Sequence, residues 1–180
     1  MADGVVVVVP PGGQAHPALD ATQVVEGGPT RAASVRAGLA AVPASAEVVV
    51  VHDAARPFAS AALFRRVVAA LGPGRAGAVP ARPVAETLKV ATGDTVVRTL
   101  ARQGVVTVQT PQAFVADALR AAHATGEDAT DDAALVEALG LAVGLVEGEP
   151  FNLKVTTPED LALAEALIAG GLVAAPRVGR

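Results

Sequence analysis

Short valine-rich runs alternate with longer stretches rich in alanine and leucine along the whole chain. The runs at 5–9 and 47–52 are nearly continuous β-branched segments, the pattern of strands covered on both faces. Further strands are expected at 23–26, 76–80, 105–109, 142–147 and 152–155. Helices are expected at 15–21, 30–41, 60–71, 114–124, 131–139 and from Pro158 to about Ile168. Their ends carry stop and start signals. Gly72-Pro73-Gly74 closes one helix and Gly140 another. Thr130 stands as N-cap before two aspartates, and Thr157-Pro158-Glu159-Asp160 opens the last helix. Residues 84–90 and 94–100 differ in texture. They alternate around Gly93-Asp94 and predict a β-hairpin arm, 83–104, inserted into the domain. Strands alternating with helices predict a three-layer α/β domain around a mostly parallel sheet, spanning 1–180 without repeat or linker. The tail 173–180 has no clear pattern.

Composition narrows the chemistry. Hydrophobic residues make up 52% of the 180 positions, so the chain can build one core. Aromatic residues are 2%, with no Trp or Tyr, which argues against base-stacking nucleic-acid readers. The net charge of 14 − 18 = −4 argues against a general polyanion binder. With no cysteine, a disulfide scaffold, a thiolate zinc site and a thiol nucleophile are excluded. No apolar run reaches the roughly 18 residues that span a bilayer. The run at 5–9 lacks a basic residue before it and does not read as a signal peptide, so a cytoplasmic protein is expected.

Ligands of open α/β sheets bind beyond the carboxyl ends of the strands, so the residues following each strand carry the chemistry. Gly27-Gly28 followed by Arg31 and Ser34 reads as an anion-facing turn at a helix start, or as an ordinary glycine cap. His52-Asp53-Ala54-Ala55-Arg56-Pro57 offers a carboxylate for a metal or sugar hydroxyl and a guanidinium for phosphate, or a loop ion pair. Thr110, in Gln109-Thr110-Pro111-Gln112, is a ligand hydroxyl or a cap. Lys154 is one of two lysines and lies in an otherwise apolar run, where solubility does not require it.

Taken in order, these motifs resemble the 2-C-methyl-D-erythritol 4-phosphate cytidylyltransferase family, from about Val5 to about Ile168. Glu86-Thr87-Leu88-Lys89, Thr130-Asp131-Asp132 and Asn152-Leu153-Lys154-Val155-Thr156-Thr157-Pro158-Glu159-Asp160 belong to the same pattern. The resemblance implies a nucleotidyltransferase that joins CTP to methylerythritol phosphate with Mg²⁺ and releases pyrophosphate. It implies that Gly28 and Ser34 contact the nucleotide, and that Asp53 and Ala54 face ribose, metal and substrate. Arg56, Thr110 and Thr130 would hold the substrate phosphate, with Lys154 near the phosphates. Asp53, Lys154 and Arg56 would be the catalytic set. Thr87 and Arg102 would belong to a hairpin arm that completes the site of a second subunit in a homodimer.

One part of the family pattern has no counterpart. The glycine-rich triphosphate loop after the first family strand stands much further from the Gly-Gly-x-x-Arg motif than Gly12 stands from Gly27 here, 27 − 12 = 15 positions. The strand at 5–9 therefore matches the family's second core strand, and a sheet edge is expected to be exposed. Three readings follow: an enzyme whose sequence begins late, a homologue that has lost the loop and its activity, or a sugar-phosphate or partner-binding α/β module.

Overall fold

The computed structural model describes residues 2–16 and 19–175. In chain order the elements are β1 (Val6–Val9), β2 (Gln23–Glu26), α1 (Arg31–Ala40), β3 (Val48–Val51), α2 (Ala61–Ala69), β4 (Gly77–Pro83), β5 (Leu88–Thr92), β6 (Thr95–Leu100), β7 (Val106–Val108), β8 (Gln112–Val115), α3 (Ala116–Ala124), α4 (Asp132–Ala138), β9 (Val143–Glu147) and α5 (Pro158–Ala169).

The core forms where β4 and β8 cross between helices. Val79 and Phe114 pack with Leu119 of α3 and Val136 of α4. Their buried neighbours Ala78 and Ala113 point to the opposite face by strand alternation, where α2 lies on β4 and β8 through Leu63 and Val67. Small residues here let α2 approach closely. Gly77 is required for a similar reason, since a Cβ there would stand 2.7 Å from the Phe114 ring. No helix among the described residues is long and apolar enough to cross a membrane.

The α/β class holds, and the sheet is mixed. β1–β2 and β4–β9 run parallel, whereas β3–β8, β4–β8 and β4–β7 run antiparallel. The strands form a two-stranded sheet β1–β2, a five-stranded sheet holding β3, β8, β4, β7 and β9, and the two-stranded arm β5–β6. Among the described residues no ladder joins β1 to β3, and Val8 and Val48 are exposed.

The arm leaves at the end of β4 and returns through β7, so it is an excursion within one antiparallel pair. Its turn has Gly93 at φ +59° before Asp94, with Thr92 facing Thr95, the Gly-first signature of a type II′ hairpin.

Four expectations need correction. Phe114 belongs to β8, not to the following helix, because Val49 pairs with it across the ladder and its ring fills the core. The segment 152–155 is no strand: it is held as irregular chain by Asn152 side-chain bonds and by Val155 N–H donating to Ala55 O at 2.7 Å. The N-cap of α4 is Asp131, whose carboxylate accepts from Ala134 N–H at 3.0 Å, rather than Thr130. The helix expected over 15–21 includes residues 17 and 18, outside the described residues, and its described flanks are not helical. Residues 176–180 of the tail lie outside them too.

Candidate functional site

The end of β2 turns through Gly27 and Gly28 into α1. Thr30 caps that helix, its side chain accepting from Ala33 N–H at 3.1 Å. Gly28 N–H donates to Ser34 Oγ at 3.2 Å, and Ser34 Oγ–H donates back to Gly28 O at 3.3 Å. A Cβ on Gly28 would stand 2.5 Å from Ala33 Cβ, so only glycine fits this close return of the chain.

β3 delivers the second piece. Beyond Val51, His52 is wedged between Arg56 O, 3.1 Å from Nε2, and Thr110 Oγ1, 3.1 Å from Nδ1. A carbonyl only accepts, so Nε2 carries the proton and Nδ1 accepts from the Thr110 hydroxyl. Burial pushes the His52 pKa down, in keeping with a neutral ring. Thr110 Oγ1 in turn accepts from Asp53 N–H at 3.0 Å. Thr110 is therefore buried and its hydroxyl holds the backbone of the Asp53 loop from beneath.

Asp53 sits half-buried between two cations. Its Oδ1 is 3.4 Å from Arg31 Nε and its Oδ2 is 3.0 Å from Lys154 Nζ. Burial alone would raise its pKa, but Lys154 and Arg31 outweigh that and hold the carboxyl below its ordinary value. The same loop carries Arg56, whose Nη1 donates to Asn152 O at 2.8 Å while its buried Nε has no partner among the described residues. Burial lowers the Arg56 pKa, with Asp53 opposing that shift. Ala54 is exposed beside them.

The segment that brings Lys154 in is fixed by a buried amide. Asn152 Nδ2 donates to Thr110 O at 2.8 Å and to Gln109 Oε1 at 3.3 Å. Gln109 ties on to Glu149, its Oε1 accepting Glu149 N–H at 3.0 Å and its Nε2 donating to Glu149 O at 2.9 Å. After Lys154 the chain enters α5 through a capping box of Thr157 and Asp160.

Of the sequence candidates, Gly28 and Ser34 share one turn, and Asp53, Arg56, Thr110 and Lys154 share one network. Thr130 is exposed just before α4, two positions before Asp132, which Arg31 reaches. Thr87 and Arg102 stand apart at the base of the arm, where Arg102 donates to Ala85 O. No hydrogen bond or ion pair among the described residues joins either to the Asp53 cluster. Arg31 does not face outward as an anion ligand. It spans Asp53 and Asp132, at 3.4 and 2.8 Å. Asn152, Gln109, Asp132 and His123, all buried polar residues, are the site's missed supports.

An apolar cleft of about 360 Å³ adjoins the back of the loop, lined by Ala54, Pro57, Phe58, Val155 and Leu161 among others. Among the described residues its only charged lining residue is Glu165, so they do not suit a phosphate. As for a metal, no group of three or more His, Cys, Asp or Glu among the described residues could hold one. Asp53 alone fits the way Mg²⁺ is bound by one or two carboxylates, with substrate phosphates and water completing its shell.

The α/β fold, shared with solved structures at 46% and 36% identity, places the chain in the nucleotidyltransferase fold class. The chain belongs to the 2-C-methyl-D-erythritol 4-phosphate cytidylyltransferase family, whose model matches residues 1–170. It is 50% identical over 153 residues to the cytidylyltransferase of that name from Nocardia farcinica, covering 84% of this chain and 66% of that one. It is 53% identical over 147 residues to the bifunctional enzyme IspD/IspF of Nitratidesulfovibrio vulgaris, covering 79% of this chain and 37% of that protein. The crystal structure of the Thermus thermophilus cytidylyltransferase superposes with a TM-score of 0.83 at 46% identity, over 93% of this chain and 83% of that one. The chain thus spans just under two thirds of the Nocardia relative and little more than a third of the bifunctional one.

Proposed function

We propose that this chain transfers the cytidylyl group of CTP to 2-C-methyl-D-erythritol 4-phosphate, a step of isoprenoid precursor biosynthesis. A phosphate oxygen of the acceptor bonds to the α-phosphorus, the α–β phosphoanhydride bond breaks, and pyrophosphate leaves. Supporting this reading above all is the Asp53–Lys154 pair, set at the end of β3 beside the glycine turn, in a chain of this family. Gly28 and Ser34 hold the nucleotide through the turn, with Asp53 and Ala54 facing its ribose and the acceptor. Asp53 would hold Mg²⁺, which when bound neutralises phosphate charge and polarises the reacting phosphoryl group. Lys154 exchanges its carboxylate partner for phosphate oxygens and steadies the charge that builds there. Arg56, whose buried Nε has no partner among the described residues, and Thr130 take the acceptor's phosphate. Thr110 orients Asp53 and His52 from below. The charged substrates accord with a cytoplasmic enzyme.

The test is release of pyrophosphate from CTP, followed with and without methylerythritol phosphate. Release that requires the acceptor and stops on adding EDTA is the expected result. Release without acceptor, or none with both substrates and Mg²⁺, overturns the assignment.

The arm supports a homodimer in which Thr87 and Arg102 reach the partner's site. Val96 and Val97 are more than half exposed near its tip, apolar surface that an interface would cover. Changing both to glutamate is expected to turn a dimer into a monomer in sedimentation velocity. A wild-type chain that sediments as a monomer at all concentrations refutes the dimer.

A further inference from the structure

We propose that Arg31 is a positioning residue for the reaction: anchored by the buried Asp132–His123 pair, it fixes the direction in which Asp53 presents its carboxylate. The inference rests on the proposed function and adds to it a residue that touches neither substrate.

Three elements distant in sequence meet at this guanidinium. Arg31 opens α1, Asp53 follows β3, and Asp132 opens α4. Asp132 is wholly buried, and both its oxygens are engaged: Oδ1 accepts from His123 Nε2 at 2.8 Å, Oδ2 from Arg31 Nη2 at 2.8 Å. His123 is itself buried. An anchor of this kind cannot turn away without leaving an unpaired charge in the core. Arg31 Nε then reaches Asp53 Oδ1 at 3.4 Å. The short bond goes to the buried anchor and the long one to the half-buried carboxylate. The rigid end is therefore Asp132, and Asp53 is what Arg31 steers.

The consequence is directional. With Oδ1 turned toward Arg31, only Oδ2 faces Lys154 and the ligand side. When Lys154 leaves for a phosphate, Arg31 remains on Oδ1 and keeps the Asp53 carboxylate aimed. Without it, Oδ1 loses the side-chain donor that sets the carboxylate's orientation. Misplacement of a reacting group by about 1 Å can cost roughly 10²-fold in rate.

The experiment compares Arg31→Ala, Arg31→Lys, Asp132→Asn and the double variant Arg31→Ala/Asp132→Asn in the full chain. Arg31→Ala is expected to lower kcat by roughly 10- to 100-fold, with KM for CTP changed much less. Arg31→Lys restores part of that loss by restoring the charge. Because Asp132 acts through Arg31, the double variant has the kcat of Arg31→Ala alone. A merely structural role would instead lower the melting temperature and the active fraction, leaving kcat per folded molecule intact.

A second readout needs no turnover and separates this inference from the proposed function. In the unliganded chain, the ¹³Cγ resonance of Asp53 is expected to move in Asp132→Asn. It is expected not to move when Asp132→Asn is added to Arg31→Ala. If the wild type releases no pyrophosphate, the proposed function fails and this resonance alone decides the positioning role. An Asp53 resonance indifferent to Asp132, or a folded Arg31→Ala variant with wild-type kcat, overturns the inference.

Discussion

Asp53→Ala is expected to lower acceptor-dependent pyrophosphate release by about 10²-fold or more, the scale on which removing one preorganised electrostatic group acts. The reason lies in the charge arrangement. Asp53 is the carboxylate between Arg31 and Lys154, at 3.4 and 3.0 Å. Remove it, and two cations face each other across the space it filled. Lys154 then loses its carboxylate partner at 3.0 Å, and the side chain proposed to receive Mg²⁺ is gone. Asp53→Asn separates the two effects. It keeps the shape and one acceptor oxygen but abolishes the negative charge, so it should be nearly as slow as alanine if charge is what matters. Both variants should fold, because the loop backbone is held independently by Asp53 N–H on Thr110 Oγ1 and by Val155 N–H on Ala55 O. Steady-state rates with melting curves on the same preparations test this. An Asp53→Ala chain with wild-type turnover would remove Asp53 from the chemistry.

What the sequence revealed of this site follows from the range of the interactions involved. Elements made by local signals were legible. The Val-rich strands, the Gly93 hairpin and the Thr157–Asp160 capping box each depend on residues a few positions apart. β8 was not legible, because Gln112–Val115 is only four residues long and owes its strand form to β3 and β4 on either side. Lys154 was legible as an oddity, a lysine among apolar neighbours. A strand, its expected setting, is not what places it. Its placement comes from Asn152, whose partners Gln109 and Thr110 lie 43 and 42 positions away. Arg31 and Asp132 are 101 positions apart. No periodicity in the sequence can mark such a pair. A buried polar residue in an otherwise apolar stretch is the only local trace it leaves.

That trace is strongest at Asn152, and Asn152→Ala is expected to destabilise the chain by about 2–4 kcal/mol. The Asn152 side chain is wholly buried and donates to Thr110 O at 2.8 Å and Gln109 Oε1 at 3.3 Å. Gln109 Oε1 keeps Glu149 N–H at 3.0 Å, so its loss is partial. Thr110 O loses its short side-chain donor, and a buried polar group left without a partner costs about 1–3 kcal/mol. The small cavity left by the amide adds to this. For a chain of this size the melting temperature should fall by roughly 5–15 °C. Asn152→Asp should be at least as harmful, since it replaces the donor with a buried carboxylate facing a carbonyl. The functional loss should exceed what stability explains. Asn152 stands two positions before Lys154, and its backbone carbonyl receives Arg56 Nη1 at 2.8 Å. Alanine keeps that carbonyl but frees the segment carrying it, so Lys154 and Arg56 lose their common reference. The test is turnover at a temperature well below the lowered melting point. Rate loss there, in a fully folded variant, ties the amide to the site. A variant melting within about 2 °C of wild type would show that the buried amide does not hold this segment.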